Sequence, residues 1–203
     1  MREIRTDLQN RPMLIGIAGK KQSGKDTMAQ FFKALDQEYE IKKFAGKLKE
    51  VASLLTNYPL WYWEEEKYKD RKLSSTFNYY TGREFLQRLG TEVFRNNLNN
   101  DIWVNLLFQD YGVDKWIITD VRFQNEVMAI KENGGILIKM ERKTTDSLDT
   151  HISENLIDNF AYDYIVKNDG NPEELFEKAK FILEDAKIRT TPEDYNVCTE
   201  RRL

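Results

Sequence analysis

Two glycines and a lysine near the start of the chain have a spacing that suits phosphate binding. The pattern is Gly19-x-x-x-x-Gly24-Lys25, and it follows an apolar run from Met13 to Ala18. Glycines let backbone N–H groups converge on an anion, and the start of a following helix adds unpaired donors and a positive dipole end. Lys25 would bring a mobile positive charge to the β- and γ-phosphates of a nucleotide. The sequence therefore predicts a phosphate-binding loop between a buried strand and a helix.

The residue after Lys25 differs from the usual form of such a loop. Asp26 stands where a serine or threonine hydroxyl commonly contacts Mg²⁺, and Thr27 follows it. Both side chains offer the oxygen ligands that Mg²⁺ prefers. The sequence leaves open which of the two reaches the metal.

An acid and an arginine follow a second predicted strand. Residues 115–119 are expected to form an interior strand, and Asp120 and Arg122 come at its carboxyl end. Ligands of open α/β sheets bind at the carboxyl ends of the strands. Asp120 is therefore placed for a metal and Arg122 for a phosphate, although a structural ion pair would give the same pattern.

Residues 82–94 are predicted to form a helix with a polar face. Its apolar stripe, at 100° per residue, consists of Phe85, Leu86, Leu89 and Val93. The opposite face contains Arg83, Gln87, Gly90 and Thr91. Glycine inside a helix costs about 1 kcal/mol relative to alanine, so Gly90 indicates that another group approaches the backbone closely. The polar face is either a binding surface or an ordinary solvated one.

Composition argues against several classes of function. The formal net charge of −3 gives no overall basic field, so we expect no nucleic-acid partner. Cys198 is the single cysteine, which suits a reducing cytoplasm. No apolar run approaches the ~20 residues of a membrane span, and the N-terminus lacks the apolar core of a signal peptide. The sequence thus predicts a soluble cytoplasmic protein with no membrane partner.

Strands and helices alternate after the phosphate loop. Strands are expected at 13–18, 39–44, 115–119, 136–140 and 162–166, and helices at 25–36, 47–55, 82–94, 125–133 and 172–186, with a further helix after Asp101. This order predicts the α/β class of the P-loop NTPases, a parallel sheet with helices on both faces. We expect one domain over 1–203, with a core at about 13–187 and a charged, unstructured tail at 188–203.

Two long segments interrupt this alternation. Residues 57–80 contain Trp61, Tyr62 and Trp63 followed by a run of charged residues, and they form either part of a substrate pocket or aromatic packing beneath a solvated face. Residues 141–160 are polar and contain Arg142 and the only histidine, His151. Such inserts fit the substrate-side and lid elements of a small kinase.

Seven motifs occur in order over most of residues 13–185. They are Gly19-Lys-Lys-Gln-Ser-Gly-Lys-Asp-Thr27, Phe44-Ala-Gly-Lys-Leu-Lys49, Arg83-Glu-Phe-Leu-Gln-Arg-Leu-Gly-Thr-Glu92, Asp101-Ile-Trp-Val104, Asp120-Val-Arg-Phe-Gln-Asn-Glu126, Asp149-Thr-His-Ile-Ser-Glu154 and Lys167-Asn-Asp-Gly-Asn-Pro-Glu-Glu-Leu175. Together they resemble the bacteriophage deoxynucleoside monophosphate kinase family. The resemblance implies an NMP-kinase-like fold that transfers the γ-phosphoryl group of ATP, with Mg²⁺, to a deoxynucleoside monophosphate. A homodimer is a possible assembly.

The resemblance also implies roles for single residues. Around ATP it places Gly19, Ser23, Gly24, Lys25, Asp26, Thr27, Arg142, Asn168 and Gly170, with the adenine against the backbone of 168–170. Around the monophosphate it places Lys21, Lys47, Arg83, Gln87, Thr91, Trp103, Asp120, Arg122 and Glu126. The expected catalytic residues are Lys25, Arg122 and the lid arginine Arg142, and the candidate metal ligands are Asp26, Thr27 and Asp120. Segment 57–80 matches no motif of the family, so base selectivity stays open.

Two other functions fit part of the pattern. Animal phosphomevalonate kinases share a Lys-x-Ser-Gly-Lys-Asp loop, so a non-nucleotide phosphate acceptor is one alternative. A GTPase-like binding module is the other, but its guanine-reading Asn-Lys-x-Asp sequence is absent. In either kinase the acceptor phosphate, with a second pKa of about 6, is already largely dianionic. A general base is therefore hardly needed, and we assign His151 to lid structure.

Overall fold

The apolar runs of the sequence become the strands of one parallel sheet. The computed structural model describes residues 13–112, 114–143, 157–188 and 201–202. The strands are β1 (Leu14–Gly19), β2 (Tyr39–Lys42), β3 (Lys115–Val121), β4 (Ile136–Glu141), β5 (Tyr164–Lys167) and β6 (Arg201–Arg202). Their order is β2-β3-β1-β4-β5-β6, and neighbouring strands pair in parallel. The predicted parallel sheet is confirmed.

Helices connect the strands. They are α1 (Lys25–Leu35), α2 (Ala45–Thr56), α3 (Leu60–Glu64), α4 (Glu66–Lys69), α5 (Gly82–Gln87), α6 (Ile102–Phe108), α7 (Gln124–Glu132) and α8 (Pro172–Ile188), and a π-helical segment, Arg88–Arg95, continues α5. The chain divides into two compact units, one formed by 1–42 with 112–203 and the other by 43–111. No helix in the described ranges combines the length and the apolarity that a bilayer crossing requires.

Helices cover both faces of the sheet in the first unit. Ile15 and Ile17 of β1 pack in one buried cluster with residues of α1 and α8. Between them, Gly16 points the other way, and a Cβ built on it would lie 2.6 Å from Ile130 Cδ1 of α7. Successive strand residues point to opposite faces, so α7 lies on the face opposite α1 and α8. This confirms the predicted layering.

The second unit has its own apolar core. Trp63, from the segment expected to form an insert, is buried there with Ala52, Leu73 and Leu89. Aromatic rings surround it, and Tyr62 stacks on both neighbouring tyrosines with centroid distances of 4.6 and 4.9 Å. Trp61, in contrast, is 53% exposed. Segment 57–80 therefore contributes packing to this unit, in agreement with the second of its two interpretations.

The helix predicted at 82–94 departs from regular α-helical geometry after Gln87. Gly90 lies within the π-helical segment, and a Cβ built on it would lie 2.7 Å from Leu48 Cδ2. The close approach inferred from Gly90 thus exists, and a core side chain makes it. A π-helical turn is wider than an α-helical one, so the 100° periodicity fails and Val93, expected in the apolar stripe, is 52% exposed.

The segment expected to be a charged, poorly ordered tail contains a two-residue strand at Arg201 and Arg202. These residues pair in parallel with Tyr164 and Ile165 of β5 and form the edge strand. The predicted extension at 1–12, the motif around His151 within 144–156, and Cys198 within 189–200 lie outside the described residues.

A buried lysine ties the start of β3 to the end of α1. Lys115 Nζ donates to Asp36 Oδ2 at 2.9 Å and to Glu38 Oε2 at 2.6 Å. The side chains of Lys115 and Asp36 are 8% and 2% exposed, whereas that of Glu38 is 64% exposed. Burial lowers the pKa of Lys115, but the hydrogen bonds to Glu38 and Asp36 raise that pKa by more. The ammonium therefore stays charged and paired at neutral pH.

We expect Lys115→Met to lower the free energy of unfolding by about 3–5 kcal/mol, because it leaves the Asp36 carboxylate buried without its cation. Glu38→Gln is the matched control and should cost less than about 1 kcal/mol, since Glu38 is largely exposed. Urea denaturation of both variants measures the difference. Equal losses would show that the Asp36 contact does not anchor β3.

Candidate active site

The loop after β1 is a tight turn at the carboxyl edge of the sheet. Gln22 has φ +62° and Gly24 has φ +98°, and α1 begins at Lys25 directly after them. Glycine adopts such a φ without strain, while the non-glycine Gln22 holds it at a cost. The N–H groups of the first turn of α1 have no intrahelical acceptor and point toward the loop. The predicted strand–loop–helix arrangement is confirmed.

The ammonium of Lys25 lies over this loop. Its Nζ donates to Gly19 O and to Lys20 O, each at 2.8 Å. A Cβ on Gly19 would lie 2.6 Å from Ser23 Oγ and 2.7 Å from Met140 O, so the loop packs closely against itself and against β4. The first-turn N–H groups and one cation thus converge on one place, which is the arrangement that a polyphosphate requires.

The carboxylate of Asp26 contacts the neighbouring strand. Thr119, which is buried near the carboxyl end of β3, donates its Oγ1 to Asp26 Oδ1 at 3.2 Å. The register of β3 against β1 shifts here, because Ile118 pairs with Gly16 and Val121 with Ala18. Irregularities of this kind re-aim side chains next to active sites. Sequence reasoning missed Thr119, since the prediction looked only at Asp120 beside it.

Arg122 follows β3 in a turn that Glu126 fixes. The buried carboxylate of Glu126 accepts hydrogen bonds from the backbone N–H groups of Arg122, at 2.7 Å, and of Phe123, at 3.1 Å. Both bonds end on one oxygen, Oε2, which holds the turn that leads into α7. The expected contact of Glu126 with a monophosphate stays a prediction. Arg122 itself is exposed, as a ligand-binding arginine must be.

The loop after β5 meets the phosphate loop. Asn168 Nδ2 donates to Ser23 O at 3.0 Å, and Asn168 N donates to Glu141 O at 2.7 Å. Gly170, further along, makes room for a glutamate of α8, because a Cβ on it would lie 2.0 Å from Glu174 Oε2. The resemblance implied only a backbone role for 168–170, and nothing in the local sequence pointed to the Asn168 side chain.

A cavity of about 310 Å³ opens beside the phosphate loop. Its lining comes from the loop, the carboxyl ends of β4 and β5 and the residues after them: Gly19, Lys20, Lys139, Met140, Glu141, Arg142, Lys143, Asp158, Lys167 and Asp169. Arg142, the expected lid arginine, is exposed here. The next residue, Lys143, is bonded to the loop after β5, because its backbone N donates to Asp169 Oδ1 at 2.7 Å.

Lys139 is a charged residue of this cavity that the sequence did not single out. Its Nζ pairs with Asp158 at 2.9 Å and with Glu141 at 3.1 Å. Burial lowers the pKa of Lys139, but the hydrogen bonds to Asp158 and Glu141 raise that pKa by more. The signal that could have found it is a lysine inside the apolar run of β4, where a paired or ligand-facing charge is the usual reason for a polar residue.

Four expected substrate residues belong to the second unit. Arg83 donates from Nη2 to Glu66 at 2.7 Å and from Nε to Asp70 at 3.2 Å, and its side chain is 42% exposed. The hydrogen bond to Glu66 raises the pKa of Arg83, burial opposes this, and Asp70 adds to the rise. Lys47 pairs with Glu50 at 3.2 Å. Gln87 is exposed and Thr91 is half-buried.

Trp103, the fifth expected substrate residue of this unit, is part of the core. It is 3% exposed, its indole Nε1 donates to Gly90 O at 3.0 Å, and its ring lies 5.1 Å from that of Phe94. The indole N–H therefore satisfies a carbonyl of the π-helical segment. The ring and its donor are used in packing here, and the expected contact of Trp103 with a monophosphate stays a prediction.

The remaining expected residues sit on the surface of the first unit. Lys21, Asp26 and Thr27 are exposed in or directly after the phosphate loop, and Asp120 is half-buried. Within the described ranges, no three His, Cys, Asp or Glu side chains come together as a possible metal cluster. Mg²⁺ commonly needs only one or two carboxylates, with phosphates and waters as its other ligands. Asp26, held by Thr119, suits that manner of binding.

Comparisons with known proteins point to one family. A family model described as "Deoxynucleotide monophosphate kinase" matches residues 56–179. A protein of Acanthamoeba polyphaga mimivirus, named for the same kinase activity, is 32% identical over 195 residues, which are 86% of this chain and 97% of that protein. The deoxynucleotide monophosphate kinase of Enterobacteria phage T4 is 36% identical over 107 residues, which are 50% of this chain and 44% of that protein.

One solved structure aligns with most of the chain. A dephospho-CoA kinase from Campylobacter jejuni aligns with a TM-score of 0.45 and 14% identity, over 85% of this chain and 96% of that chain.

Proposed function

Because this chain belongs to the deoxynucleotide monophosphate kinase family, we propose that it transfers the γ-phosphoryl group of ATP to a deoxynucleoside monophosphate, giving a deoxynucleoside diphosphate and ADP. The observation that carries this proposal is the phosphate loop, where Lys25 and the start of α1 converge at the edge of the sheet. Family membership favours a deoxynucleotide over phosphomevalonate as the acceptor. A cytoplasmic setting suits a reaction that uses ATP, and a homodimer stays a prediction.

The reaction needs positioning and charge screening more than acid–base chemistry. The acceptor phosphate is already mostly dianionic at neutral pH, because its second pKa is about 6. Two anions must therefore be brought together in line and their repulsion reduced. We assign this task to Lys25, whose bonds to the Gly19 and Lys20 carbonyls would be exchanged for donor phosphates, and to the exposed Arg122 and Arg142.

The donor nucleotide would occupy the loop and the adjoining cavity. Its phosphates would meet the backbone from Gly19 to Thr27, which includes Ser23 and Gly24. Its base would enter the 310 Å³ cavity between Arg142 and the loop after β5, where Asn168 and Gly170 lie. Lys139 lines this cavity, and its positive charge is balanced by Asp158 and Glu141.

Mg²⁺ fits the acidic groups beside the loop. Asp26 is exposed at the start of α1, Thr119 fixes one of its oxygens, and Asp120 follows Thr119 in the chain. We assign these two carboxylates to the metal, with Thr27 as the other candidate ligand. When bound, Mg²⁺ neutralises charge on the phosphates. Thr119 would keep the Asp26 carboxylate in one orientation.

The residues that the family resemblance places around the acceptor stay a prediction. They are Lys21, Lys47, Arg83, Gln87, Thr91, Trp103, Asp120, Arg122 and Glu126. Arg83 is the sharpest candidate, because its planar guanidinium suits two-point contact with a phosphate. In this structure Nη2 and Nε contact Glu66 and Asp70, so a bound phosphate would take the place of these carboxylates or use Nη1.

Lys25→Met is expected to lower kcat by several orders of magnitude, because the loop loses the cation that counters charge between the phosphates. Lys33→Met is the matched control, since Lys33 is exposed in the last turn of the same helix, and it should retain full activity. A coupled assay of ADP release measures both. More than about a tenth of wild-type kcat in Lys25→Met would contradict the assignment.

Asp26→Asn and Asp120→Asn should each raise the Mg²⁺ concentration needed for half-maximal activity, because each removes a charged oxygen from the proposed metal site. Thr119→Val keeps the shape of the side chain and should produce a smaller rise, since it removes only the bond to Asp26. Calorimetric titration of ADP with and without Mg²⁺ gives a readout that is independent of turnover. Unchanged Mg²⁺ dependence in both asparagine variants would exclude these carboxylates.

Arg83→Ala should reduce kcat/KM for the deoxynucleotide about ten- to a hundred-fold, the cost of losing a hydrogen bond to a charged group. ATP affinity measured without acceptor should stay within about two-fold. Arg88→Ala is the control, because Arg88 pairs with Glu92 on the surface of the adjoining segment. If Arg83→Ala weakens both ligands equally, or lowers the melting temperature strongly, Arg83 is a structural residue and not an acceptor contact.

A further inference from the structure

The side chain of Asn168 reaches the phosphate loop from a distant part of the chain. Its Nδ2 donates to Ser23 O at 3.0 Å across a separation of 145 residues. Its own backbone is fixed in the sheet, because Asn168 N donates to Glu141 O at 2.7 Å where β5 adjoins β4. The carboxamide therefore extends from a rigid strand end to a loop that has no strand pairing of its own.

The loop has a gap that this carboxamide fills. A Cβ built on Gly24 would lie only 2.2 Å from Asn168 Nδ2 and 3.3 Å from Asn168 Cγ. Gly24 also has φ +98°, which L side chains rarely adopt. Position 24 thus requires glycine for two reasons. The turn needs its positive φ, and a side chain there would clash with the carboxamide of Asn168.

The bond from Asn168 differs in kind from the bonds that Lys25 makes to the loop. Lys25 is a cation, so its contacts with Gly19 O and Lys20 O compete with any phosphate that binds there. The carboxamide of Asn168 is neutral and donates to a backbone carbonyl, so an incoming anion has little reason to displace it. It can hold the Ser23–Gly24 peptide both before and after phosphate binding. Such a bond offsets strain in the loop, because Gln22 has φ +62°, a conformation that is unfavourable for a non-glycine residue.

We propose that Asn168 is a positioning residue that holds the phosphate loop in its binding shape, and so links the loop after β5 to the phosphates of the donor. This rests on the proposed function, because it requires donor phosphates to bind at the loop. Replacement of a residue that contacts only the base would have a different effect. It would weaken ATP binding and leave the binding of base-free polyphosphates unchanged.

The test is calorimetric binding of inorganic tripolyphosphate, which has no base, beside binding of ATP. Asn168→Ala should weaken tripolyphosphate and ATP by a similar factor of about three to ten, the loss expected for one hydrogen bond between neutral groups. Asn171→Ala is the matched control, because Asn171 lies in the same loop and its Oδ1 accepts from Glu174 N at the start of α8. Asn171→Ala should lower the melting temperature and leave tripolyphosphate binding unchanged.

A double-mutant cycle with Gly24→Ala tests the same contact sterically. Because the new Cβ would occupy the position of Asn168 Nδ2, Gly24→Ala should be less harmful in the Asn168→Ala background than in the wild type. Additive effects would argue against the proposed contact. If Asn168→Ala does not fold, Asn168→Ser, which is neutral and lacks the amide group at that position, takes its place in both measurements.

The outcomes separate the two proposals. Tripolyphosphate binding within two-fold of wild type in Asn168→Ala, with ATP binding weakened, would overturn the positioning role and leave the kinase function intact. Failure of the wild-type chain to bind either tripolyphosphate or ATP would instead overturn the proposed function, and the positioning role with it. Lys25→Met, measured in parallel, should lose both ligands.

Discussion

A polyphosphate can be held only if N–H groups and a cation converge on one point, and the first unit is built around that constraint. Such groups repel one another, and the turn that gathers them includes backbone conformations that L residues rarely adopt. The loop is therefore supported from several sides. β1, which leads into it, lies between β3 and β4, and Gly19 packs against Met140 O of β4. Asn168 meets the loop from the end of β5.

The same edge of the sheet carries the remaining groups of the proposed donor site. Thr119 and Asp120 occupy the irregular end of β3, Arg142 follows β4, and Asn168 follows β5. Each strand of a parallel sheet ends at this edge, so residues far apart in sequence meet there without long loops. Buried side chains then fix the turns themselves, as Glu126 does for the backbone of Arg122.

Local sequence patterns were enough to predict the phosphate loop, the strands and most helices. Gly19, Gly24 and Lys25 form a contiguous motif, and runs such as that before Gly19 are buried because of their own composition. What could not be predicted depends on partners distant in sequence. The π-helical segment requires Leu48 against Gly90 and the indole of Trp103 on its carbonyl. The pairing of Arg201 and Arg202 with β5 has no local signal at all. The burial of Glu126 and Trp103 could not be predicted for the same reason, since it is decided by the fold.

The most direct measurement follows the transferred phosphoryl group. The chain would be incubated with Mg²⁺ and ATP labelled in its γ-phosphate, together with dAMP, dGMP, dCMP or dTMP, and with phosphomevalonate in a parallel reaction. The proposed function predicts that label enters the diphosphate of at least one deoxynucleoside and not the isoprenoid precursor. Label found only in inorganic phosphate or in diphosphomevalonate would contradict it.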